Sequence, residues 1–539
     1  MRGGASLECA PVPTTDSASA ASGAHASDPL SSDPLDSDPL DLLTSTGDHK
    51  RLGRVWLVVA VLYLLLGGAT GGFLSAERAR TGFDVLDADT FGQVFSLHSV
   101  SAVFLFLLPA WIGLALILVP LQVGARNIAL PRAAAYATWL FVIGGVIVEA
   151  SYLADGGPGG LDADANELWV LGLGSVLVAL LIASTSIVTT VIAARAPGLR
   201  LRDVSAFSWS MLIAASLWLL TLPVMVSALV FVWIDTHFGG AAVFEGDMYT
   251  PIRWAFGPPQ IYLVAIPAIG AAAESLRIAS RSPVRPWPAL VVGMVGFAAL
   301  GFGAFATPFA GPDLVENVLF QAQGLALIAP TFIILAAVAD IVRQRGGPPR
   351  LTSPFLFGAG SVIFLVLGVA AGMTLVTDRL DVGGTVWATA HGHYIGLGAA
   401  TLGIIAAVHL WSSKVFGAEL SDAIGKASFA VTSLGIVLLI VPDIILGADK
   451  MPAANPFYGD LAGAPDSWET LSAVSAAGGF LALVGLALFV LNLLSVVGRR
   501  RGEVAANPWD ADSGLEWQTA SPPTPENFQT VPDLTTSRA

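Results

Sequence analysis

The sequence predicts an all-α integral membrane protein with twelve transmembrane helices. Of 539 residues, 54% are hydrophobic and only 12% charged, with mean hydropathy +0.72; soluble domains carry about 25% charged residues. Twelve apolar runs each approach the ~20 residues a helix needs to cross hydrocarbon. Basic residues fall between those runs mostly on one side, and that asymmetry sets the orientation.

Residues 1–47 read as a disordered acidic cytoplasmic tail, rich in Ser, Ala, Asp and Pro, with Asp-Pro-Leu at 28–30, 33–35 and 38–40. No apolar run precedes residue 52, so the first span is expected to be its own anchor. The membrane domain occupies 48–500, with spans near 52–74, 93–119, 133–154, 168–194, 206–234, 251–273, 288–310, 314–342, 353–377, 384–411, 425–447 and 472–498. With both ends inside, the inner loops hold nineteen Lys and Arg, among them Lys50, Arg126, Arg200, Arg277, Arg350 and Lys414. The outer side holds five: Arg78, Arg80, Arg253, Arg379 and Lys450. Residues 501–539 form a cytoplasmic C-terminal tail. This places the chain in a plasma (inner) membrane with both termini cytoplasmic and the lipid bilayer as its first partner.

The formal charge of −14 sits mostly in the two tails, so the membrane body is nearly neutral and no nucleic-acid partner is implied. The single cysteine, Cys9, lies in the first tail. That excludes disulfides, covalent haem through CxxCH and paired-cysteine metal sites.

Ala390-His391-Gly392-His393-Tyr394 puts two imidazoles inside the tenth span. A two-residue step on a helix is about 200°, so the rings point to nearly opposite sides and can serve two metal centres. Polar groups at membrane depth are rare and usually functional, and haem iron takes axial His. His98 lies about five residues in from the outer end of the second span, and His391 and His393 about seven and nine residues in from that of the tenth, all roughly 8–14 Å deep. A shared depth is what one cofactor layer requires. Of the remaining histidines, His25 and His49 are assigned to the cytoplasmic side, His237 to an outer loop, and His409 to a snorkelling position at the inner end of the tenth span. Glu149 and Asp443 are placed level with the haem layer, while Asp340 reads as a solvated acid near the inner face. Gly293, Gly296, Gly301 and Gly303 read as close-packing positions.

Several motifs then resemble subunit I of the haem–copper oxidases, the catalytic subunit of cytochrome c oxidase. These are Asp48-His49-Lys50-Arg51, Leu97-His98-Ser99, Val119-Pro120-Leu121-Gln122-Val123-Gly124-Ala125, Leu130-Pro131-Arg132 and Ala390-His391-Gly392-His393-Tyr394. The tail adds Asn507-Pro508-Trp509, Leu515-Glu516-Trp517, Ser521-Pro522-Pro523 and Asn527-Phe528. The resemblance implies that His98 and His393 clamp a low-spin haem and that His391 ligates a second haem from one side.

The sequence departs from that family where copper should bind. Pro258 stands at the copper histidine of the sixth span, Gln260 at its glutamate, and only Tyr262 persists; Phe305 and Ala306 stand where the seventh span should carry a His-His pair. No histidine exists between 237 and 391, so no imidazole remains to hold copper there. Ile334 replaces the proton-uptake lysine, Asn127 the proton-entrance aspartate, Gly383-Gly384 a His-Asp pair, and Met451-Pro452-Ala453-Ala454 the segment with the propionate arginines. Tyr262 is the one catalytic candidate, and without its histidine partner it reads as structural.

Three functional readings stay open. One is a haem-bearing membrane redox protein, with two haems and no copper, that transfers electrons or binds a diatomic gas. It would take electrons from a second redox subunit or an external donor such as cytochrome c or a cupredoxin. Another is a working terminal oxidase or other gas reductase. The last is a haem-free transport or structural protein, against which stands the lack of two similar halves.

Overall fold

A computed structural model describes residues 47–79, 86–238, 252, 255, 258–282, 287–303, 318–344, 348–376, 380–453, 465–496 and 504–535. Residues 1–46, Phe305 and Ala306 lie outside the described residues. What is described is all-α. Eleven helices among these residues are long and apolar enough to cross a membrane, and a twelfth apolar helix, Pro288–Phe302, is shorter. The chain is an integral membrane protein.

In chain order the helices are α1 (His49–Arg78), α2 (Thr90–Val123), α3 (Pro131–Leu153), α4 (Ala163–Ala193), α5 (Ala206–Phe238) and α6 (Pro258–Ser280). They continue as α7 (Trp287–Gly303), α8 (Val318–Arg343), α9 (Ser353–Val376), α10 (Val386–Leu410), α11 (Asp422–Ala448) and α12 (Ser467–Leu494). Local chemistry explains their ends. The side chains of Asp48, Asp87, Asp162, Thr385 and Ser421 accept backbone N–H bonds at the starts of α1, α2, α4, α10 and α11, satisfying donors that the first turn leaves unpaired. Gly124, at φ +75°, ends α2 in the left-handed conformation that glycine takes without strain.

The sixth helix departs from its expected bounds of 251–273 and begins and ends seven residues later. Prolines at its first two positions lack N–H groups that would be unpaired there anyway. At its other end the charged residues are neutralised inside the helix: Arg277 is 3.0 Å from Glu274, and both are buried. Hydropathy alone stops short of such a pair.

Three helices form the centre. The most apolar stretches of α2, α6 and α10 are 94%, 100% and 83% buried, whereas the others keep one side outward. Leu62, Ile143, Leu171, Leu220 and Val292 are among the large apolar side chains on that outer surface, which suits hydrocarbon rather than water. His98, Tyr262, His391 and His393 therefore all lie on the innermost helices.

Residues 504–535 fold over the end of the bundle where the basic residues gather. Asn527 donates to His49 Nε2 at 2.9 Å and to Ala125 O at 2.9 Å. Trp509 donates to Leu410 O, and Lys414 donates to Thr519 O at 2.6 Å. Gln122 donates to Glu516 and accepts from Ser205 and Ser208. His49 is thus buried.

Candidate functional site

His98 is seated on α1. Its Nδ1–H donates to Gly67 O at 2.8 Å, which leaves Nε2 with the lone pair that a metal would take. One turn along α1, a Cβ at Gly71 would come within 2.6 Å of His98 Cε1, so the ring fits only against bare backbone. His391 is seated the same way on α9. Its Nδ1–H donates to Gly368 O at 2.9 Å, and a Cβ at Gly372 would reach within 2.8 Å of its Cε1. Two glycine pairs, each four residues apart, fix the two imidazoles and their tautomers.

His393 faces His98. The ring centroids are 6.3 Å apart and the planes inclined by 72°. Two imidazoles on one metal ion place their centroids at most about 6.3 Å apart, from metal–nitrogen bonds of ~2.0–2.1 Å plus the ring radii. His393 Nδ1 is buried with no hydrogen-bond partner among the described residues. His391 points elsewhere, and its ring lies 5.6 Å from that of Tyr262, which also meets Phe297 edge-on at 5.7 Å.

Both histidine segments adjoin π-helical turns, Ser101–Leu107 after His98 and Tyr394–Thr401 directly after His393. Such turns hold an extra residue per loop and occur often at functional sites. Hydropathy carries no trace of them. Further into the bundle an apolar cavity opens between α1, α2, α10 and α12, lined by residues including Leu57, Val61, Phe106, Ile404, Val408 and Leu493.

The other expectations divide. His409 is not at the surface: it is buried, donates to Ile405 O at 2.9 Å, accepts from Asn492 at 3.4 Å and stacks on Phe357. A full set of partners removes any need for it to reach water. Glu149 is half-buried and accepts from Ser101 at 3.4 Å. Asp340 pairs with Arg343 at 2.9 Å. Ile334 is buried against Gly293, and Asn127 donates to Gly47 O at 3.1 Å. Asp443, read as one acid of several, is instead buried in an ion pair with Arg78 at 2.6 Å.

The family profile described as "Cytochrome C and Quinol oxidase polypeptide I" matches residues 51–481. The chain belongs to that oxidase family. It is 29% identical over 513 residues to cytochrome c oxidase subunit 1 of Bacillus subtilis, covering 90% of this chain and 80% of that one. It is 28% identical over 511 residues to cytochrome c oxidase subunit 1 of Thermostichus vulcanus, covering 90% of each. A solved heme-copper terminal oxidase dimer shares the fold, with TM-score 0.70 over 84% of this chain and 85% of that one, at 14% identity. Membership makes this a cytochrome c oxidase subunit I-like membrane protein, and haem is the cofactor the family implies. The residues present fit that group. Two facing imidazoles stand one metal ion apart, and His98 and His391 are each held in the tautomer that offers Nε2.

Proposed function

We propose that this oxidase-family chain is a two-haem electron carrier or gas-binding subunit without the copper centre. His98 and His393 hold a low-spin haem, and His391 holds a second haem from one side. The observation that carries this reading is the 6.3 Å separation of the His98 and His393 rings. When bound, a bis-imidazole haem supplies one-electron chemistry with little change in coordination, and a haem ligated from one side supplies an open position for a gas. The chain's own residues do the positioning. Gly67 and Gly368 carbonyls fix the tautomers of His98 and His391, and the glycines one turn on admit the rings.

Support for the missing copper comes from the sequence, which has no histidine between 237 and 391 and carries Pro258 and Gln260 at the family's ligand and acid positions. Tyr262, packed on His391 and Phe297, serves as a wall of the second site. Electrons arrive from a second redox subunit or a soluble donor. The basic end, with both termini, faces the cytoplasm of a cell with this chain in its plasma membrane.

A second reading, a working oxidase, is favoured by the names of the relatives, which are cytochrome c oxidase subunits along 90% of this chain. Metal analysis of the purified protein, with reduced-minus-oxidised spectra recorded with and without carbon monoxide, separates the two. Two irons, no copper and one carbon monoxide-sensitive band are expected, and His98→Ala or His393→Ala should remove the low-spin band. Stoichiometric copper with oxygen consumption overturns the proposal in favour of the oxidase, and colourless protein overturns both.

A further inference from the structure

Arg78 is an unusual residue to find inside this bundle. It ends α1, is 9% exposed, and its Nη2 donates to Asp443 Oδ1 at 2.6 Å and to Ser475 Oγ at 3.0 Å. Ser475 also donates to Asp443 Oδ1 at 2.8 Å, and Asp443 itself is 1% exposed. Removing two charges from water costs several kcal/mol per ion, recovered only when the remaining donors and acceptors are met. Here they are not. Arg78 Nε and Asp443 Oδ2 are both buried without a hydrogen-bond partner among the described residues. The neighbouring acid, Glu77, gives one oxygen to the Leu86 N–H.

Asp443 lies near the level of His393. Val386 N–H donates to Met451 O at 3.0 Å, tying the start of α10 to the chain just beyond α11. From that tie His393 lies seven residues along α10 and Asp443 eight residues back along α11, so at ~1.5 Å per residue the two share a level to within about a turn. On α1, Arg78 lies seven residues, about 10 Å along the axis, beyond Gly71, which touches His98.

We propose that Arg78, held in place by Asp443 and Ser475, is the guanidinium that takes a carboxylate side arm of the haem between His98 and His393 and raises its reduction potential. This rests on the haem ligation proposed above. A guanidinium has five N–H donors in a planar fork suited to carboxylate. With Nη2 committed to Asp443 and Ser475, the Nε–H remains for a second acid. The segment Met451-Pro452-Ala453-Ala454 offers no cation for this task, and Arg78 reaches the same layer from a different helix. A positive charge there favours the more negative, reduced haem, while Asp443 opposes it.

Spectroelectrochemical titration of the purified holoprotein tests this in three variants. Arg78→Gln should lower the low-spin midpoint by roughly a tenfold change in the reduction equilibrium, about 59 mV for one electron. Asp443→Asn should shift it upward, and Arg78→Lys should stay near wild type because the charge remains. Opposite shifts of the first two support the assignment, since a purely structural lesion moves both the same way. Reduction equilibria of Arg78→Gln and Asp443→Asn that both stay within threefold of wild type, or midpoints of the two that shift together, overturn it. If Arg78→Gln does not assemble, Asp443→Asn still decides: an upward shift supports the proposal, and no shift or a downward one ends it. A wild-type protein without haem sinks the ligation itself, whereas a haem indifferent to these variants sinks only the role of Arg78.

Discussion

His391 Nδ1 lies 2.9 Å from the carbonyl oxygen of Gly368, and the same arrangement on α1 joins His98 to Gly67. Each histidine is thereby aimed by backbone rather than by a side-chain carboxylate. The glycine one turn further on each helix makes the contact possible, which separates the two centres experimentally.

Gly71→Ala should disturb only the low-spin centre. The new Cβ would stand 2.6 Å from His98 Cε1 and 2.9 Å from its Nδ1, and the ring cannot retreat without losing Gly67 O. An overpacking cost of about 1–3 kcal/mol is expected. The low-spin band should weaken or shift while carbon monoxide binding persists. An unchanged low-spin spectrum in a folded variant contradicts the seat.

Gly372→Ala should do the reverse. Its Cβ would meet the Tyr262 hydroxyl at 2.5 Å and His391 Cε1 at 2.8 Å. The carbon monoxide difference spectrum is expected to change, with the low-spin band intact. If the two alanine variants have identical spectra, the centres are not separately seated.

Glu516 should make the docked tail pH-sensitive. Burial, and then the negative charge of Glu274, lift its carboxyl from 4.5 to about 7. Between those values the folded state binds more protons than the unfolded one, so stability is full below about pH 4.5 and is lost as pH rises through about 7. Lys414, which burial lowers to about 8, stays protonated over most of that window. Glu516→Gln should therefore gain on the order of 1–3 kcal/mol at pH 7.5 and little at pH 4.5. Proteolysis of residues 504–535 at the two pH values reads this directly; an equal gain at both is incompatible with it.

His409→Leu should cost stability and nothing else. Loss of the imidazole leaves an Asn492 N–H without its acceptor, worth about 1–3 kcal/mol. A lower melting temperature with an unchanged haem spectrum is expected. A changed spectrum would give His409 a role that its contacts do not suggest.

Most of the architecture is legible in hydropathy, because a span in lipid must satisfy its backbone internally and be apolar over most of its length. The described ends of α9, at Ser353 and Val376, match that reading within a residue. It fails where charge is neutralised in place, as at Glu274 and Arg277. Depth is a one-dimensional quantity that a sequence carries, and it groups His98 with His391 and His393. Their seats were not legible, because Gly67 and Gly71 are ordinary helix glycines until α2 packs on them. Arg78 and Asp443, 365 residues apart, could be paired only by the fold. His409 looked solvated because its proximity to a helix end says nothing of Asn492, 83 residues away.

The C-terminal tail has a consequence for biogenesis. It bonds to residues of α1, α2 and α10 or just beyond them, and Arg277 of α6 donates to Ser513. Because ribosomes deliver residues 504–535 after α12, the lattice that clamps the helix feet together cannot form until the twelve helices have been synthesised. A fusion or truncation between α12 and residue 504 would leave the spans threaded through the bilayer but their basal ends splayed.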